Sequence, residues 1–128
     1  MLLPHGTLVA LIDGKNFELL RNSGNEAEPE LVSETAPKLD SHNHSGASHH
    51  SPSHVNEDAH AIAAVDWLNT QVLGHKIDHL VVIATPRTLG EVRKHYHKQL
   101  SAKLIGEFHK DLTGRQPREV LEALRASK

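Results

Sequence analysis

Leu80-Val81-Val82-Ile83-Ala84 is a run of five apolar residues with no polar alternation, and three of the five are β-branched. Such a run suits a strand covered on both faces, the situation of an interior strand in a parallel sheet. Helical periodicity lies on both sides of it. Upstream, Ala61, Val65, Leu68 and Val72 fall on one face of a helix over Glu57–Leu73, with Ile62 and Ala64 at its edges, Trp67 away from its centre and Gly74 as a stop. Downstream, Thr88-x-x-Glu91 has the spacing of a capping box, and Leu89, Val92, Tyr96 and Leu100 recur at helical intervals, which predicts a helix over Leu89–Ser101. A buried strand between two amphipathic helices defines an α/β crossover, so Leu80–Ala84 is expected at the centre of the sheet.

Working outward, Leu8-Val9-Ala10-Leu11-Ile12 closes on Asp13-Gly14, and Phe17-Glu18-Leu19-Leu20-Arg21 follows as the second arm of a hairpin. Asn22-Ser23-Gly24-Asn25 is turn chemistry, and a weaker third strand is expected around Leu31-Val32. At the other end, Leu104–Phe108 reads as a last strand and Pro117–Arg125 as a last helix. The order is β-β-β-α-β-α-β-α, which predicts a single α/β domain over residues 1–128 with a mixed five-stranded sheet, the element order of the ribonuclease H-like architecture. Between Asp40 and Asn56 the only apolar residues are Ala47 and Val55. That composition buries too little to order itself, so a mobile His-rich loop is expected at about 40–56.

Apolar residues make up 38% of the 128, but only Phe17, Trp67, Tyr96 and Phe108 are aromatic, so the core must be aliphatic. The absence of cysteine excludes disulfides, thiolate metal sites and a cysteine nucleophile. No apolar run approaches the ~20 residues of a membrane span, and Met1-Leu2-Leu3-Pro4-His5 lacks the pattern of a signal peptide, so a cytoplasmic location without membrane insertion is expected. Twelve histidines stand against a formal charge of −2. Residues 1–64 carry a net −6 and residues 65–128 a net +4, so the chain is electrically polar along its length.

Two segments resemble the bacterial host-attachment protein family, described as proteins required for attachment to host cells. One is Leu8–Gly14 with Phe17–Asn22. The other is His79-Leu80-Val81-Val82-Ile83-Ala84-Thr85-Pro86-Arg87-Thr88-Leu89-Gly90-Glu91-Val92-Arg93-Lys94-His95-Tyr96-His97-Lys98, continued by Lys103–Glu107 and Lys110–Thr113. That family is in turn similar to bacterial relatives of the middle domain of archaeal and eukaryotic peptide-release factors. In that domain a Gly-Gly-Gln loop, between the opening strands and the first long helix, assists peptidyl-tRNA hydrolysis. Here the corresponding place holds Ser41-His42-Asn43-His44-Ser45-Gly46-Ala47-Ser48-His49-His50, and Gly-Gly-Gln occurs nowhere in the chain. The resemblance therefore implies the scaffold and argues against release activity.

Among candidate chemistries, His42, His44, His49 and His50 could supply imidazole ligands to zinc or nickel, with His54, His60, Asp40, Glu57 and Asp58 nearby in sequence. Their spacing matches no fixed metal motif, so opportunistic binding by a solvated loop explains the same residues, and no dedicated cofactor is expected. A two-metal nuclease would need converging carboxylates. Asp13 with Glu57 or Asp58 is the available set, but the strand end Ala84-Thr85-Pro86 adds no acid, and Asp13 also suits a turn. No Gly-x-Ser-x-Gly or phosphate-binding glycine motif is present, so no catalytic residue is assigned. Finally, Arg87, Arg93, Lys94, Lys98 and Lys103 stand against the single acid Glu91, a balance that suits RNA or another anionic partner. The same residues would equally solvate the outer face of a helix, with Glu91 pairing to Lys94 or His95. The sequence thus predicts a non-enzymatic binding or adaptor protein of the host-attachment family. Its alternatives are an RNA- or ribosome-associated release-factor-like protein and, third, a His-loop metal binder.

Overall fold

The computed structural model describes residues 2–39 and 52–126. Five strands, β1 (Leu8–Ile12), β2 (Phe17–Asn22), β3 (Leu31–Glu34), β4 (Leu80–Ala84) and β5 (Leu104–His109), form one sheet in the order β3-β2-β1-β4-β5. The helices are α1 (Pro52–Leu73), α2 (Pro86–Arg93), α3 (Lys98–Lys103) and α4 (Pro117–Ala126). β1, β2 and β3 are antiparallel neighbours, whereas β1–β4 and β4–β5 run parallel, so the sheet is mixed as the periodicities predict. β1 rather than β4 holds the middle place. Both are interior strands, and an apolar run alone cannot rank two strands that are equally covered.

The reason for the missing alternation is direct. Leu8, Ala10 and Ile12 with Leu80, Val82 and Ala84 face α1, α2 and α3, while Val9 and Leu11 with Val81 and Ile83 face α4. Every residue of β1 and β4 is buried. Ala61, Ala64, Val65, Leu68 and Val72 of α1 fill the first face and Val120 and Leu124 of α4 the second, so the expected stripe is the packed one. Truncating Leu68 to Ala would cost about 3 kcal/mol in lost burial and cavity. Trp67 lies at the margin of the first face, edge-on to Phe17 with ring centroids 5.8 Å apart.

Two further sequence expectations are corrected. α1 begins at Pro52, so residues 52–56 of the expected loop form its first turns, while residues 40–51 lie outside the described residues. Pro52 is a natural first helical residue, but no apolar period accompanies it. The expected helix over Leu89–Ser101 is instead two helices. α2 starts three residues earlier, with Thr85 at its N-cap and Pro86 at its first position, so Thr88 is a buried helical residue rather than a cap. It ends at Arg93, and α3 restarts at Lys98 with the His97 ring accepting the Gln99 N–H at its N-terminus. The intervening turn is held from α1: Asn69 Nδ2 donates to the His95 carbonyl, and its Oδ1 accepts from the His97 N–H, each at 2.9 Å. Val92 and Leu100 are both buried because two short helices, not one long one, present them to the sheet.

Candidate functional site

β1 and β4 end side by side, and a depression of about 310 Å³ forms where their carboxyl ends meet α1 and α2. Crevices at this end of parallel strands are common ligand positions in α/β sheets. Its walls come from the Asp13–Asn16 turn, Glu57, Thr85, Arg87 and Thr88. The turn is built by Asp13 itself, whose Oδ1 accepts the Lys15 N–H at 2.7 Å and the Asn16 N–H at 2.6 Å. Oδ2 accepts from Asn16 Nδ2 at 3.0 Å and from the Thr113 hydroxyl at 2.8 Å, which brings the segment after β5 to the same corner. Burial pushes the Asp13 carboxyl up, but the hydrogen bonds from the Asn16 amide, the Lys15 N–H, the Thr113 hydroxyl and the Asn16 N–H outweigh it and hold the group below its usual range. Asp13 is therefore a carboxylate whose oxygens are committed to the turn.

α1 is seated against this turn at two points. His60 Nδ1 lies 3.1 Å from the Asp13 carbonyl oxygen, and the Glu57 side chain passes so close to Gly14 that a Cβ there would meet Glu57 Cγ at 2.5 Å. Asp58, the next residue of α1, takes Arg87 Nη2 at 3.3 Å on both carboxylate oxygens. The structure thus does bring Asp13, Glu57, Asp58 and Arg87 to one corner. Asp13 is hydrogen-bonded and Asp58 is ion-paired, and among the described residues no group of three or more His, Asp or Glu is arranged to hold a metal. The metal candidates His42, His44, His49 and His50 lie outside the described residues.

The cations of the basic segment do not share one ridge. Arg87 belongs to the corner just described. About 9 Å further along α2, Arg93 Nη2 lies 3.1 Å from the Glu107 carboxylate of β5, and the Tyr96 hydroxyl donates to the same carboxylate at 2.7 Å. Burial, and then the bond to Glu107, push the Tyr96 phenol far above its ordinary value. Lys94 pairs with Glu91 at 3.2 Å, and His95 approaches the other oxygen of Glu91 at 3.9 Å, the local pairing that the spacing predicts. Lys98, the first residue of α3, has no ion pair among the described residues. Glu107 and Asn69 carry no motif in the sequence, because their roles arise only when β5 and α1 are brought against the α2–α3 turn.

Among the described residues no helix is long and apolar enough to cross a membrane. No curated protein matches the chain. A family model described as bacterial archaeo-eukaryotic release factor family 12 matches residues 6–124, from just before β1 into α4. This match carries the release-factor relation and does not speak for host attachment. With nearly the whole chain matched and the mixed sheet in place, the protein belongs to the bacterial archaeo-eukaryotic release factor family 12.

Proposed function

We propose that this protein is a non-enzymatic, RNA- or ribosome-associated member of its family, in which Arg87, Arg93, Lys94 and Lys98 meet phosphate. The observation that carries the reading is the family match over residues 6–124 combined with a chain that contains no Gly-Gly-Gln. The scaffold is kept while the loop associated with peptidyl-tRNA hydrolysis is replaced by a Ser- and His-rich segment. The ion pairs of Arg87, Arg93 and Lys94 do not oppose this use. All three side chains are more than half exposed, and exposed ion pairs contribute little to stability, so a phosphate can take the place of the carboxylate at small cost. Lys98 is exposed and unpaired among the described residues, ready for a phosphate without exchange.

Co-sedimentation with ribosomes and a peptidyl-tRNA turnover assay test the two halves of the proposal together. Association at low salt without hydrolysis above buffer is the expected result. Hydrolysis abolished by changes in the segment 41–50 would replace it with an enzymatic reading. No association with ribosomes or RNA at low salt would leave the protein-adaptor function that the host-attachment resemblance implies.

A further inference from the structure

The acidic half of the chain supplies an edge strand of the sheet, β3. Among the described residues no strand pairs with β3 beyond β2. Which backbone groups face outward follows from the ladder. The Asn22 N–H donates to the Thr7 carbonyl across β1, so Asn22 turns its backbone to β1, and Arg21, next to it, turns to β3. Arg21 opposes Val32 and Leu19 opposes Glu34 in register, which makes these the hydrogen-bonded pairs. The Ser23 N–H to the Glu30 carbonyl, 2.9 Å, continues the same alternation. Leu31 and Ser33 therefore point their N–H and C=O groups away from the sheet.

Side-chain alternation gives the edge two unlike faces. Leu31 is buried on the α4 side, and beside it a groove of about 680 Å³ opens between Pro29–Leu31 and the first turn of α4, with Pro117 and Leu121 as its apolar wall. Val32 and Glu34 occupy the other face, and Val32 is 46% exposed. Glu26, Glu28, Glu30 and Glu34 are all exposed; Arg21 of β2 pairs with Glu34, while residues 22–35 contain no Lys or Arg to pair with the other three. A second copy of this chain would bring the same carboxylates against themselves, whereas a cationic strand would neutralise them.

We infer that β3 is a docking edge for an extended basic peptide, which adds as a sixth strand by bonding to Leu31 and Ser33. Its apolar residues lie in the groove beside Pro117 and Leu121, and its alternate lysines or arginines stand on the opposite face near Glu28 and Glu30. Main-chain pairing supplies affinity in this mode and the alternation supplies selectivity. The inference goes beyond the RNA-facing role, which uses cations on α2 and α3.

Fluorescence anisotropy with a labelled peptide of alternating Lys and Val, about eight residues long, tests it on the full chain. The comparison probes are a Glu-Val peptide and the Lys-Val peptide with a methylated backbone. Two variants separate the contributions. Ser33→Pro removes an outward N–H while leaving the bonds to β2 intact, a substitution that edge strands accept. The double variant Glu28→Lys with Glu30→Lys reverses charge at two side chains that make no bond among the described residues. Saturable binding of the Lys-Val peptide only, weakened about tenfold or more by each variant at unchanged melting temperature, is expected. Binding indifferent to Ser33→Pro or to backbone methylation would overturn strand addition. A dimer of the parent protein that Ser33→Pro dissolves would assign the edge to a second copy and overturn the peptide, and no binding of the Lys-Val peptide would overturn the inference outright.

Discussion

At one edge of the sheet, β3 runs for four residues beside a turn carrying Glu26, Glu28 and Glu30; at the other, β5 runs for six between Lys103 and Lys110. Among the described residues both strands have a neighbour on one side only. They are anchored in different ways. β5 is tied by a side chain, Glu107, which takes Arg93 and the Tyr96 hydroxyl from the α2–α3 region. β3 is tied by a side chain too, Glu34 to Arg21 of β2, and also by the backbone of its own turn through the buried Asn22, whose Oδ1 accepts the N–H groups of Gly24 and Glu30 at 2.9 Å each while Nδ2 donates to the Leu3 carbonyl at 2.8 Å. Both edges carry an exposed ion pair that can be exchanged, and the β3 edge has in addition a buried amide that cannot. The negatively charged edge therefore has a buried anchor of its turn beside its surface pair.

The sharpest way to break this comparison is Asn22→Ala. It leaves two N–H groups and one carbonyl of a buried corner without partners, so a loss of about 3 kcal/mol is expected in denaturant unfolding. A loss under about 1 kcal/mol would show that the turn does not hang on this amide. Next in size is Gly24→Ala. Its Cβ would collide with the Glu28 carbonyl of the same turn, so about 2 kcal/mol should be lost, together with peptide docking at β3.

At the β5 edge, Glu107→Gln should cost less stability than either of these, because the amide still accepts from Tyr96 and loses only the charge towards the exposed Arg93. Tyr96 is the only tyrosine in the chain, so its alkaline absorbance titration reports this corner alone. Its folded-state value is raised above 10.0, so the stability it contributes is fully present below pH 10 and is lost as pH rises through the folded value. Glu107→Gln should shift that titration downward, and an unchanged titration would deny the bond. Asp13 has the opposite sign. Its folded value lies below 3.8, so its contribution is present above that pH and is lost as pH falls through the folded value. Asp13→Asn should flatten this acid limb of the stability profile. The smallest effect belongs to Lys94→Ala, which breaks only the exposed pair with Glu91 and should change stability by less than about 0.5 kcal/mol.

The order of elements, the two-faced cover of Leu80–Ala84 and the α1 stripe were legible in the sequence because burial imposes a period on apolar residues. The break at Lys94–His97 was not. Val92, Tyr96 and Leu100 keep a helical interval across it, while Asn69, which holds the turn, lies far upstream. The Asp13 turn was legible from Asp-Gly, but the closure by Thr113 spans 100 positions. The candidate cations were legible as a run of charge, whereas their partners Asp58 and Glu107 come from other elements and leave no local mark.

RNA binding across a salt series, for the parent and for Lys94→Glu with Lys98→Glu, measures the central claim most directly. These two cations were chosen because neither takes part in the Glu107 clasp or the Asp58 pair. Binding by the parent at low salt should fall steeply as salt rises, since pairing with phosphate releases counterions, and each cation removed from a phosphate should lower the slope by about one. The double variant should therefore bind more weakly and with a shallower slope while remaining folded, with only a small loss of stability from Glu91 facing a second carboxylate. Absence of binding by the parent at low salt, or a slope unmoved by the charge reversals, would contradict the account.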